Sequence, residues 1–126
     1  MLFNFRYSTE SSKESLVNEF ESILNSLKVE YEIDWKFSGL PYLTTKNKLK
    51  DIVVNSIKSI TGYLPDLNAK GGTSDGRFVA KMDTEIVELG PLNESIHQID
   101  ENIKISELWT LKDIYKKILV NLNQVS

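Results

Sequence analysis

The chain has 126 residues, about one domain's length, and its 15 Lys plus Arg against 18 Asp plus Glu leave a formal net charge of -3. That balance disfavours a nucleic-acid binder relying on a general basic surface, and at 40% hydrophobic and 26% charged residues no run approaches the roughly 18 apolar residues of a membrane-spanning helix. The absence of cysteine excludes disulfides, thiolate metal sites and a cysteine nucleophile, while the single histidine, His97, can give only one of the about three protein ligands a catalytic zinc usually takes.

The opening Met1-Leu2-Phe3-Asn4-Phe5-Arg6 lacks the basic start and long apolar stretch of a signal peptide, so a cytoplasmic chain with no membrane partner is expected. Phe3, Phe5 and Tyr7 alternate with Asn4, Arg6 and Ser8, the period-two pattern of a strand with Arg6 on its polar face. Ser11 followed by Glu14 is a capping-box signature. Behind it Leu16, Val17, Phe20, Ile23, Leu24 and Leu27 predict an amphipathic helix over about 12–27. From Val29 to Phe37 apolar and charged residues alternate, the clearest strand pattern in the chain. Strand, helix and strand in this order predict a βαβ unit.

Ser38-Gly39-Leu40-Pro41 interrupts that pattern and predicts a domain crossing. Thr44 or Thr45 is expected to cap a second helix with Leu49, Ile52, Val53, Ile57 and Ile60 inside and Gly62 at its stop. A strand over 85–89 and a final helix over about 106–122 follow, so the expected class is α/β. The final helix would turn Leu108, Leu111, Ile114, Tyr115, Ile118, Leu119 and Leu122 to one side. Trp35 and Trp109 read as packing residues.

Three places invite a functional reading. The segment Gly71-Gly72-Thr73-Ser74-Asp75-Gly76-Arg77 is rich in small residues, but its spacing matches neither phosphate-loop pattern. It is either a turn before a short capped helix or a cradle for a carboxylate. His97 lies in a loop with Asp100 and Glu101 following, and is either a hydrogen-bonded structural residue or a ligand. Arg6 is either a surface cation or a bidentate carboxylate clamp.

Four strings taken together resemble one family: Asn4-Phe5-Arg6-Tyr7-Ser8-Thr9, Ser38-Gly39-Leu40-Pro41-Tyr42-Leu43-Thr44, Gly71-Gly72-Thr73-Ser74-Asp75-Gly76-Arg77-Phe78, and Glu88-Leu89-Gly90-Pro91-Leu92-Asn93 leading to Ile96-His97. In order and spacing they resemble the C-terminal third of the succinyl-diaminopimelate desuccinylases, di-zinc amidohydrolases of bacterial lysine and diaminopimelate biosynthesis. The resemblance covers essentially the whole chain. It implies that residues 1–43 are the second half of a lid, or dimerisation, domain and 44–126 the C-terminal part of a zinc-dependent catalytic domain, both α/β. It implies a homodimer formed through the lid, and two zinc ions per complete subunit, with cobalt able to replace them.

On the same resemblance His97 is a metal ligand, and Arg6, Ser38, Gly72, Thr73 and Asn93 hold the substrate, a small dicarboxylate-bearing amide. The implied reaction is hydrolysis of N-succinyl-LL-2,6-diaminopimelate to succinate and LL-2,6-diaminopimelate, by a water held between two zincs and deprotonated by a glutamate. The family's other metal ligands and that glutamate belong upstream of the matched region. The expectation is therefore a fragment with no catalytic residue of its own, inactive and holding no tightly bound metal when isolated. The same resemblance leaves open a related deacetylase or dipeptidase, and a different class of reading is a stand-alone dimerisation or binding module.

Overall fold

The structure, a computed structural model, describes residues 1–69, 74–92 and 94–125. Among these residues it has four α-helices: α1 (Lys13–Ser26), α2 (Lys48–Thr61), the single turn α3 (Gly76–Val79), and α4 (Ile105–Val125). A 3-10 turn, Ala80–Met82, continues α3. Among the described residues there is no strand, which overturns the expected α/β class and its βαβ unit. The chain divides into two compact units, Met1–Leu43 and Thr44–Ser126.

In the first unit α1 begins one residue later than the Ser11–Glu14 spacing predicts. Ser12 is the N-cap, its Oγ accepting the Ser15 N–H at 3.0 Å, while Ser15 Oγ accepts the Ser12 N–H at 3.1 Å. The box forms between two serines because either hydroxyl can reach the other's backbone donor. Glu14 then sits in the first turn, where its own backbone N–H, offset in part by desolvation, and then the Lys13 and Ser12 side chains hold its carboxyl below the usual range.

The helix stops at Leu27. The Lys28 N–H bonds to Asn25 O and the Val29 N–H to Leu24 O, a Schellman pairing that places Lys28 at φ 55.

The alternating residues on either side of α1 place side chains against it without building a ladder. Phe20 on α1 meets Phe3, Phe5 and Trp35 with ring centroids 5.4, 5.4 and 5.8 Å away, and Phe5 lies 6.1 Å from Trp35. Trp35 Nε1 also donates to Glu21 Oε1 at 3.0 Å, so it is the packing residue its sequence context suggests. A strand exists only as a hydrogen-bonded partner of another strand. The period-two pattern reports one face turned to an apolar neighbour, and here that neighbour is a helix.

The core of the second unit lies between α2 and α4. Ile52 and Val53 on α2 and Ile114 and Ile118 on α4 are buried, with Leu49, Ile57, Val87, Leu89 and Leu122 packed around them. Ser56 is wholly buried at this seam. Its Oγ donates to Ile52 O at 2.7 Å and accepts from Asn121 Nδ2 at 3.1 Å, so the one buried polar residue among the described residues has both its needs met. Gly62 ends α2 at φ 80, the left-handed stop that glycine adopts without strain.

The predicted caps Thr44 and Thr45 do not cap α2, whose N-cap is Asn47. Glu85 instead reaches over, its Oε2 accepting the Leu49 N–H at 2.7 Å, and Lys46 pairs with Asp83 at 2.9 Å beside it. Thr44 Oγ1 donates to Ile86 O at 2.6 Å and accepts the Ile86 N–H at 3.1 Å. The Tyr115 hydroxyl donates to Leu89 O at 2.6 Å.

These bonds are why residues 85–89 carry half-buried apolar side chains and are not a strand. Their backbone groups are satisfied by side chains from the start of the unit and from α4. On α4 the stripe that faces the core is narrower than predicted: Leu108, Tyr115 and Leu119 are exposed, as is Trp109, which carries Lys112 Nζ 4.9 Å from its ring centroid rather than packing inward. Among the described residues no helix is long and apolar enough to cross a membrane.

Candidate functional site

Three of the predicted site residues, Gly72, Thr73 and Asn93, lie outside the described residues. Of the others, Arg6 and Ser38 belong to the first unit and His97 to the second. Arg6 and Ser38 are both exposed, and among the described residues neither makes a hydrogen bond or ion pair. A guanidinium left free in this way keeps all five of its donors available to a carboxylate.

Near them in sequence an open cleft of about 390 Å³ lies between the start of α1 and the Leu40-Pro41 turn. Its wall includes Tyr7, Thr9, Ser12, Lys13, Leu40 and Pro41, but neither Arg6 nor Ser38. From the amino end Tyr7 and Thr9, two residues apart, line the cleft.

On the second unit, Ser74 precedes α3, where its Oγ accepts the Gly76 N–H at 3.0 Å and donates to the Glu88 carboxylate. The turn-before-a-helix reading of this segment is therefore correct for its described end, although the N-cap position itself is Asp75 and that side chain makes no capping bond. Among the described residues the buried Nε of Arg77 has no hydrogen-bond partner, and its Cζ lies 4.7 Å from the centroid of the Phe78 ring. An unpaired buried donor costs about 1–3 kcal/mol. Neither feature was readable from the glycine spacing.

His97 is exposed, at φ 60, on a loop in which Asp100 is also left-handed at φ 63. The loop is cross-tied through Ser95, whose Oγ donates to Asn102 O at 2.7 Å and accepts the Asn102 N–H at 3.0 Å. The sequence offered no motif for that tie, only a Ser and an Asn seven residues apart. Among the described residues no group of three or more His, Cys, Asp or Glu is placed to hold a metal ion. His97 is the one imidazole in the sequence and so its one nitrogen donor of the kind zinc takes alongside carboxylate oxygens.

Comparison with known proteins gives this arrangement its context. Two curated relatives, from Stutzerimonas stutzeri (strain A1501) and Pseudomonas syringae pv. syringae, are 50% and 49% identical over 121 residues. Both carry the name succinyl-diaminopimelate desuccinylase. The match takes in 96% of this chain but 32% of either relative, so the chain spans about a third of their length. The model of peptidase family M20/M25/M40 matches residues 6–121, a range that holds Arg6, Ser38 and His97 alike, and the chain belongs to that family.

Proposed function

We propose that this chain supplies the carboxylate-recognising part and one metal ligand of a zinc-dependent desuccinylase that cleaves N-succinyl-LL-2,6-diaminopimelate to succinate and LL-2,6-diaminopimelate. The observation that carries the proposal is near-50% identity to desuccinylases over 96% of the chain. The free guanidinium of Arg6 is consistent with it, since a planar fork of donors suits a substrate bearing several carboxylates. In this reading Arg6 and Ser38, with Gly72, Thr73 and Asn93, orient the substrate, and His97 gives its imidazole to the metal. The remaining ligands and the proton-accepting base come from residues with no counterpart in these 126. Residues 1–43 form the homodimer contact, and the assembled enzyme works in the cytoplasm.

The test has two arms. Zinc added to the purified 126-residue chain in a calorimeter should show no tight two-site uptake, and such uptake would overturn the division of ligands. Co-expressed with a polypeptide supplying the other two-thirds of a desuccinylase, the chain should restore succinate release from the succinylated substrate. His97→Ala should then abolish zinc loading, costing more than the roughly 10–100-fold typical of an outer-shell partner. Arg6→Ala should raise KM on the order of 10–100-fold with a smaller change in kcat, the loss expected for a charge-assisted hydrogen bond. Full activity and zinc content in His97→Ala would reject the ligand assignment.

A further inference from the structure

The loop that carries the only imidazole has almost nothing to hold it but hydrogen bonds. Ile96 and Ile99 are 44% and 95% exposed, so apolar packing does not anchor it. Ser95 is the one half-buried residue among the described residues 94–102. Its hydroxyl ties both backbone groups of Asn102, donating to the carbonyl at 2.7 Å and accepting the N–H at 3.0 Å. Inside the ring so closed, the Gln98 N–H returns to Ser95 O at 3.1 Å and Asn102 Nδ2 reaches Asp100 O at 2.8 Å, while Gln98 Nε2 reaches out of it to Glu94 O at 3.1 Å.

His97 occupies the third position of the Ser95–Gln98 turn, where a type II turn calls for a positive φ and usually for glycine or asparagine. It is a histidine at φ 60, followed by Asp100 at φ 63. Two side-chain-bearing residues in that region within four positions persist only where the surroundings over-determine them. The surroundings on offer are these five hydrogen bonds, three of which meet at Ser95 and two of those at its hydroxyl.

We propose that Ser95 is a positioning residue: its hydroxyl closes residues 95–102 into a ring that fixes His97 in the left-handed conformation and so presents the imidazole outward as a preset donor. This deepens, and rests on, the reading of His97 as a ligand. A donor already held in its binding geometry loses less freedom when it engages its partner, and that gain is what a strained loop would be retained for.

The test uses the 126-residue chain without metal. Because the sequence has one histidine, the imidazole Cε1–H gives a single line in a proton–carbon spectrum, and the three-bond couplings from Hα of His97 and of Asp100 to the preceding carbonyl carbon, large only at positive φ, report their φ angles. Wild type and Ser95→Thr should show couplings of a fixed positive φ at both residues. Ser95→Ala should move both to averaged values and shift the imidazole line to that of an unstructured peptide, while the Ile114 and Ile118 methyl lines stay put and report an intact core. Ser95→Ala with wild-type couplings would overturn the proposal. Ser95→Thr behaving like Ser95→Ala would overturn it equally, since the claim concerns the hydroxyl and not the small size of serine. Failure here removes the role of Ser95 alone, because the zinc loading of His97→Ala decides the ligand reading separately.

Discussion

At the scale of single residues the left-handed positions are the most informative. Gly62 takes φ 80 where a glycine after a helix is the ordinary stop, and this one was readable. Lys28, Asp83, His97 and Asp100 take φ 54–63 with side chains in place, and no sequence signal separates them from their neighbours. Lys28 fills the position that glycine holds in most Schellman stops, with both hydrogen bonds of the motif made. A side chain in that region costs about 1–2 kcal/mol, whereas glycine's extra freedom in the unfolded chain returns roughly 0.5–1 kcal/mol of the gain. Lys28→Gly should therefore stabilise the chain by about 0.5–1 kcal/mol, raising the urea midpoint of α1 as followed by helical circular dichroism. A lowered midpoint would mean that Lys28 makes an interaction its backbone strain conceals.

At the scale of elements, helices were legible and strands were not, for a common reason. A helix satisfies its backbone within one segment, so capping residues and a 3.6-residue stripe suffice to predict it. The predicted spans of α1, α2 and α4 accordingly lie within a few residues of those observed. A strand needs a second segment, and residues 3–7, 29–37 and 85–89 show the apolar pattern while their neighbours are a helix or a set of side chains. Thr44 and Tyr115 binding the backbone at Ile86 and Leu89 could not be foreseen from spacing, since each partner lies at least 26 residues away.

The α2–α4 seam also fixes where substitution should hurt. Ile118 is 6% exposed, and truncation of a buried Ile costs about 2–5 kcal/mol. This core has only four buried apolar residues among those described, so its walls can relax toward the void and the low end, about 2–3 kcal/mol, is expected for Ile118→Ala. Leu119→Ala, one position along and 64% exposed, should change stability by less than about 0.5 kcal/mol. Equal midpoints for the two variants in chemical denaturation would place the seam elsewhere.

At the scale of the whole molecule the two units differ in what holds them. Among the described residues all the buried side chains lie in the second unit, at the α2–α4 seam, whereas α1 has none. The first unit rests on a half-open aromatic cluster, with Phe3 and Phe5 55% and 41% exposed, and on local caps. Free energies of local opening follow buried apolar contact, so amide hydrogen exchange should separate the units. The amides of α2 and α4 near Val53, Ile114 and Ile118 should exchange slowest and those of α1 markedly faster, in one sample at one pH. On the proposed function this matters because Arg6 and Ser38 sit in the unit expected to open more readily, while His97 sits on a tied loop of the better-packed one. If Arg6 recognises a carboxylate as proposed, that binding should tighten when the first unit gains a stable partner surface, and protection of α1 should rise in the same preparation. Protection in α1 equal to that in α4 for the isolated chain would show that the aromatic cluster alone holds the first unit closed.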